Sequence, residues 1–269
     1  MTTTTTTTST TARHRSALYW TFSDVRTLAN RNLIALFRTP TLVVFAIIQP
    51  IMFVLLFRYV FGGAIHITGT TYVNYLIPGI LVQTVIFGSV NTAIGLAEDL
   101  QKGLIERFKA LPMARMAVLG GRTLADMLRS VVVLIIITGV GFLVGFRPDG
   151  GFIPYIEACL VMLAFAYSLS WGFAFIGLAA PSAEAAQAMT FPLIFPLVFA
   201  SVIFVQLSSL PWWLQGFANN QPISQATYAV RGLMLGQAHG NSVWISLAWS
   251  VGLIAFLAPL AVNRFRKAA

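Results

Sequence analysis

Charged side chains are rare in this sequence, and a third of them fall in one short stretch. Glu98, Asp99, Lys102, Glu106, Arg107, Lys109, Arg115 and Arg122 lie within residues 98–122, although only 9% of the chain is charged. They are not set out for catalysis. The sequence shows no paired carboxylates, no clustered nucleophile and no metal-ligand set, since His14, His66 and His239 are scattered. A phosphate-cradling GxxxxGK[ST] loop is also missing, and none of the three lysines, Lys102, Lys109 and Lys267, follows a glycine. The spacing suits docking instead. Leu100, Leu104, Phe108 and Leu111 recur at helical intervals, Lys102, Glu106 and Lys109 lie around the rest of the barrel, and Pro112 ends the pattern. Two readings stand: an amphipathic helix that docks into a soluble partner, or a solvated loop whose charge only fixes topology.

Polar residues inside the apolar runs form a second group. Thr84, Gly88, Asn91 and Gly95 share one side of a helix, a small and polar stripe suited to close packing or to lining a substrate path. Gln49 and Gln83, with Thr84 and Asn91, complete the substrate-path candidates. Asp126 and Arg129 are three residues apart, near enough to pair along a helix. An unpaired charge at mid-bilayer costs about 2.5–3.5 kcal/mol, so a structural ion pair is the simpler reading and a proton relay the alternative. Pro50, Pro192 and Pro196 each free a carbonyl and mark helices expected to bend.

These residues must be positioned by membrane-spanning helices. The chain is 57% hydrophobic, against which 9% charge falls far below the roughly 25% of soluble domains. Six stretches approach the 20 or so apolar residues that a crossing needs: Thr41–Phe61, Leu76–Ala97, Thr123–Phe146, Tyr155–Ala179, Met189–Leu207 and Val243–Val262. The net charge of +9 flanks these spans and forms no patch, which argues against nucleic acid as a partner. Arg13, Arg15, Arg26, Arg31 and Arg38 precede the first span, the 98–122 loop follows the second, and Arg264, Arg266 and Lys267 follow the last. The positive-inside rule then puts both termini and that loop in the cytoplasm of a multi-pass inner or plasma membrane protein. Cys159, the only cysteine, excludes an internal disulfide.

Outside the spans, residues 1–22 form a threonine-rich tail expected to be disordered, without the apolar core of a secretory signal. Residues 23–39 read as an interfacial amphipathic helix, and residues 40–269 as one six-span domain. Between the fifth and sixth spans, residues 208–240 are too polar to cross. Ser209 is placed to cap a turn near Pro211, and Pro222 to start a second short helix that stops at Gly236. The expectation is a pair of re-entrant or interfacial helices on the outer side, with Arg231 on the more polar face.

Taken together, Glu98, Asp99, Gly103, Arg107, Leu111, Pro112, Arg115, Gly121 and Arg122, with the outer run Asn220, Gln221, Pro222, Ile223, Tyr228, Arg231, Gly232, Leu233 and Gly236, resemble the permease subunit of a type 2 ABC exporter, in particular its daunorubicin-resistance branch. The resemblance covers nearly the whole chain from Ser23. The family usually has Asn-Pro adjacent where this chain has Asn220-Gln221-Pro222. The resemblance implies an all-α integral membrane protein with six transmembrane helices, an N-terminal interfacial helix, a cytoplasmic coupling helix and an outer re-entrant hairpin before the sixth span. It implies two copies of an ABC ATPase subunit, which carry the ATP and Mg, and a second permease, identical or homologous, amid membrane lipids. Glu98, Asp99, Lys102, Gly103, Arg107, Phe108, Leu111 and Pro112 would then be ATPase-coupling residues, the Asp99–Leu111 helix would transmit closure, and the chain itself would be no enzyme. The cargo expected is an amphipathic drug or lipid, with polysaccharide an alternative within the wider family. A channel or ion-coupled carrier is the competing class, disfavoured by the scarcity of acids within the spans. A membrane-embedded enzyme would need chemistry that the sequence lacks.

Overall fold

The computed structural model describes residues 40–63, 67, 69–104, 115–238 and 240–267, and among them every regular element is helical. The tail 1–22, the helix expected over 23–39, and Arg107, Phe108, Leu111 and Pro112 lie outside the described residues. Helix α1 runs Pro40–Leu55 and widens into a π-turn over Leu56–Phe61. It is followed by α2 (Tyr72–Gln101), α3 (Arg115–Leu143), α4 (Phe152–Ala179), α5 (Ala183–Phe199), α6 (Trp212–Asn220), α7 (Pro222–Leu235) and α8 (Ser242–Lys267).

The central element is α2. Thr71 caps its start by accepting from the Asn74 amide at 3.4 Å, and its thirty residues extend about 45 Å at 1.5 Å per residue. Apolar side chains surround it, as a helix enclosed by protein requires, and it packs against α3, α4, α5 and α7. Among the described residues four helices are long and apolar enough to cross a membrane: Tyr72–Gln101, Gly120–Leu143, Phe152–Ala179 and Ser242–Arg266. Helix α5, Ala183–Phe199, is shorter.

The fifth expected span is displaced. Ser182 caps α5 through the Ala185 amide at 3.0 Å, so the helix starts six residues before Met189 and ends at Phe199, eight short of Leu207. At 17 residues it is about 25 Å long, less than the hydrocarbon thickness of about 30 Å. Pro192 and Pro196 lie in its second half, and residues 201–205 continue as irregular backbone that is nonetheless buried at Ser201, Val202, Ile203 and Phe204. Irregular backbone at that depth survives only when other groups take its carbonyls. Tyr75 on α2 supplies a hydroxyl to Val202 O at 3.0 Å and Val205 O at 2.7 Å. Gln221 donates to Ala200 O at 2.6 Å.

Arg231, expected on the more polar face of its helix, shares this work and is buried. It is 5% exposed, donates from Nε to Tyr75 O at 3.1 Å and from Nη2 to Val202 O at 3.0 Å, and lies with its guanidinium carbon 3.5 Å from the centre of the Tyr75 ring. Twelve of the fourteen residues of α7 are buried among the other helices. Only its neighbour α6 is set toward the surface, with Trp212 83% and Trp213 66% exposed. Nor does Ser209 cap α6: it belongs to a separate 3-10 turn, Leu207–Ser209, and α6 starts directly behind Pro211.

The second correction concerns the charged connector. No single helix runs from Asp99 to Leu111, because α2 ends at Gln101 and Gly103 adopts φ 63°, a left-handed conformation that glycine reaches without cost. Glu98 and Asp99 therefore belong to the last turn of α2, and Lys102 caps it.

Arg231→Met should lower stability by about 3 kcal/mol, since charged hydrogen bonds are worth about 1.5–3 kcal/mol each and buried carbonyls are left without donors. Tyr75→Phe, which keeps the ring beneath the guanidinium, should cost about 1 kcal/mol. Thermal unfolding of the purified protein in detergent checks both, and equal melting of all three proteins would contradict this account.

Candidate functional site

Three charged residues of α3 face the small stripe of α2. Arg122, Asp126 and Arg129 are spaced i, i+4 and i+7, which puts them on one side of a helix. That side meets Gly88, Asn91, Thr92 and Gly95. Asp126 Oδ2 accepts from Thr92 Oγ1 at 2.5 Å, and Asp126 Oδ1 lies 3.8 Å from Arg129 Nη2. Arg129 also donates to the carbonyl of Gly88, and Arg122 to that of Asn91 at 3.0 Å. Arg122 lies between two acids, its Nη1 4.0 Å from Asp99 Oδ2 and its Nε 3.8 Å from Asp126 Oδ2. Gly95 makes room for it, because a Cβ there would fall on the guanidinium. The stripe is thus a seat for arginines, not a bare helix-packing groove.

Toward the middle of the bundle this cluster opens into a cavity of about 70 Å³ between α1, α2 and α3. Gln49 and Phe53 come from α1, Gln83, Thr84, Phe87 and Asn91 from α2, and Arg129 from α3. All four substrate-path candidates meet here. Thr84 is turned back to Ile80 O at 2.7 Å and Asn91 Nδ2 to Gly88 O at 3.2 Å. Gln83 is different: it is 3% exposed and its Oε1 has no hydrogen-bond partner. Two aromatic residues, Phe53 and Phe87, join the lining, and each belongs to a run of ring contacts. Phe53 stacks on Phe57 at 6.0 Å, while Phe87 meets Phe195 edge-on at 5.8 Å.

At the other end of the cluster is the connector. Glu98 and Lys102 form a pair at 2.9 Å that is 45% and 63% exposed, of the surface kind worth about 0.3–0.5 kcal/mol. Asp99 points inward to Arg122 instead. Glu98, Asp99, Lys102 and Gly103 thus lie together where α2 ends, and the remaining coupling candidates are outside the described residues. Among the described residues no group of three His, Cys, Asp or Glu is placed to hold a metal. Pro222 and Arg231 lie elsewhere, at the start and within the last turns of α7.

Residues 23–235 match the ABC-2 type transporter family. The chain belongs to that family. It is 37% identical over 237 residues to the daunorubicin resistance ABC transporter permease protein DrrB1 of Streptomyces coeruleorubidus, covering 88% of this chain and 84% of the relative. It is 29% identical over 247 residues to the probable doxorubicin resistance ABC transporter permease protein DrrC of Mycobacterium tuberculosis, covering 89% and 87%. To the putative transport permease ycf38 of Cyanophora paradoxa it is 25% identical over 235 residues, covering 84% and 78%. This ABC-2 permease is a multi-pass membrane protein and a transmembrane subunit of a transporter, not an enzyme.

Within the permease, the geometry adds residues that the sequence reading had not assigned. Arg122 appeared there only as part of a basic loop, and Thr92, Phe53 and Phe87 not at all. The i, i+4, i+7 spacing of Arg122 with Asp126 and Arg129 was the available signal. Thr92 had none, being one hydroxyl among several on α2. Its loss should matter: Thr92→Val leaves a buried carboxylate oxygen without its short hydrogen bond and should cost about 1–3 kcal/mol. Gln83→Leu, which removes an acceptor already unpaired, should be close to neutral. Paired thermal melts test the contrast, and a larger loss for Gln83→Leu than for Thr92→Val would overturn it.

Proposed function

We propose that this permease is the membrane half of an ATP-driven exporter that moves an amphipathic drug or lipid out of the cell. The observation that carries the reading is the cavity between α1, α2 and α3. Phe53, Phe87 and Val133 give it apolar lining, and Gln49, Asn91, the unpaired acceptor of Gln83 and the buried cation of Arg129 give it polar lining. A lining divided between apolar and polar groups suits an amphipathic molecule. An ion path would need a file of acids or carbonyls, and Asp126 is already held by Thr92 and two arginines. The names of the two resistance permeases support the same cargo class.

Energy then comes from outside the chain. Two copies of an ABC ATPase subunit, holding ATP and Mg, would dock on the connector of this permease and of a second one, identical or homologous. The connector and both termini would face the cytoplasm, with lipid around the bundle. Glu98, Asp99 and Lys102 at the end of α2 and Arg107, Phe108, Leu111 and Pro112 beyond it would form the contact. Nucleotide binding shifts the permease only as far as the docked ATPase favours one of its conformations.

Reversing charge at Glu98 and Arg107 together with Asp99→Asn should abolish co-purification of an ATPase of about 30 kDa and daunorubicin efflux from cells, while the thermal melt stays near wild type. Full efflux by a folded triple variant would refute the docking role. Gln83→Leu should weaken daunorubicin binding by about tenfold, the worth of one lost hydrogen bond of about 1.4 kcal/mol. Fluorescence titration of the purified permease reads this directly, and unchanged affinity would move the site away from the cavity.

A further inference from the structure

Arg122 lies between two carboxylates without closing on either. Its distances of 4.0 Å to Asp99 and 3.8 Å to Asp126 are each about 1 Å longer than the 2.7–2.9 Å of a close charge-assisted bond. Its Nε is buried and makes no hydrogen bond, while its Nη2 donates to the carbonyl of Asn91 at 3.0 Å. The two acids belong to different parts of the molecule. Asp99 is in the last turn of α2, beside the connector, whereas Asp126 is tied to Arg129 in the cavity wall. Gly95 leaves the guanidinium an unobstructed seat between them.

We infer that Arg122 is the positioning residue that links the connector to the cavity, by closing on Asp99 in one conformation of the permease and on Asp126 in the other. When Arg122 sits on Asp99, Asp126 keeps only Thr92 and Arg129, and Arg129 is drawn toward Asp126 and off the Gly88 carbonyl. When Arg122 sits on Asp126, Arg129 is left to Gly88 and the cavity. A displacement of about 1 Å at the end of α2 thereby changes whether Arg129 faces the cavity, and a molecule that engages Arg129 biases the connector in return, as reciprocal linkage requires. This rests on the exporter reading above and adds to it the route by which cargo and ATPase sense each other.

The test uses the permease co-purified with its ATPase and reconstituted in liposomes, with daunorubicin as the probe. Three quantities are read: daunorubicin affinity, basal ATP hydrolysis, and the stimulation of hydrolysis by daunorubicin. Arg122→Gln should leave the first two within about twofold of wild type and abolish the third. Gly95→Ala keeps every charge but pushes the guanidinium from its seat, and should do the same. It also decides the matter should Arg122→Gln fail to accumulate. Stimulation retained by either folded variant overturns the inference, and so does a parallel loss of affinity and melting temperature, which marks a merely structural residue. A wild-type complex that neither hydrolyses ATP nor binds daunorubicin refutes the exporter reading itself, and this inference falls with it.

Discussion

Every backbone carbonyl and every charge within the membrane must find its partner inside the protein, and the architecture follows from how this permease meets that demand. Long helices meet it internally. Where a helix stops early, side chains from elsewhere must take over. The end of α5 at Phe199 is the clearest instance, because the buried carbonyls that follow are collected by Arg231, Tyr75 and Gln221 from α7, α2 and the turn between α6 and α7. Without that arrangement the irregular segment would have no stable place at depth.

The same demand shapes the charged face of α3. Three ionised groups within two turns would be costly in an apolar bundle unless they satisfied one another and the neighbouring backbone. The carbonyls of Gly88 and Asn91 and the hydroxyl of Thr92 supply the remainder. A network of this kind is specific in geometry because each member has few alternatives. It also lies between the end of α2 and the cavity that Gln49, Gln83 and Arg129 line.

Much of this was legible in the sequence, and the exceptions have physical causes. The four long helices follow from runs of apolar residues. The short α5 does not, because its end is decided by donors twenty to thirty residues later and on another helix. The partners of Arg231 were hidden for the same reason: a cation on the more polar face of a short helix shows no carbonyl partners until Tyr75, Val202 and Ile203 are brought to it. Gly103 was treated as one position in a helical pattern, though a glycine after a lysine is also a common helix stop. At the site, Gln49, Gln83, Thr84 and Asn91 were each recognisable as polar residues in apolar runs. That they meet in one cavity depends on how three helices cross, which local spacing does not encode.

The length of α2 has a mechanical meaning of its own. A rod of about 45 Å that tilts about its middle moves at its tip by roughly 0.4 Å for each degree. Two or three degrees would therefore span the gap that separates Arg122 from either acid. Large rearrangement of the bundle is not needed for news from one rim to reach its interior: a stiff strut pivoting slightly is enough.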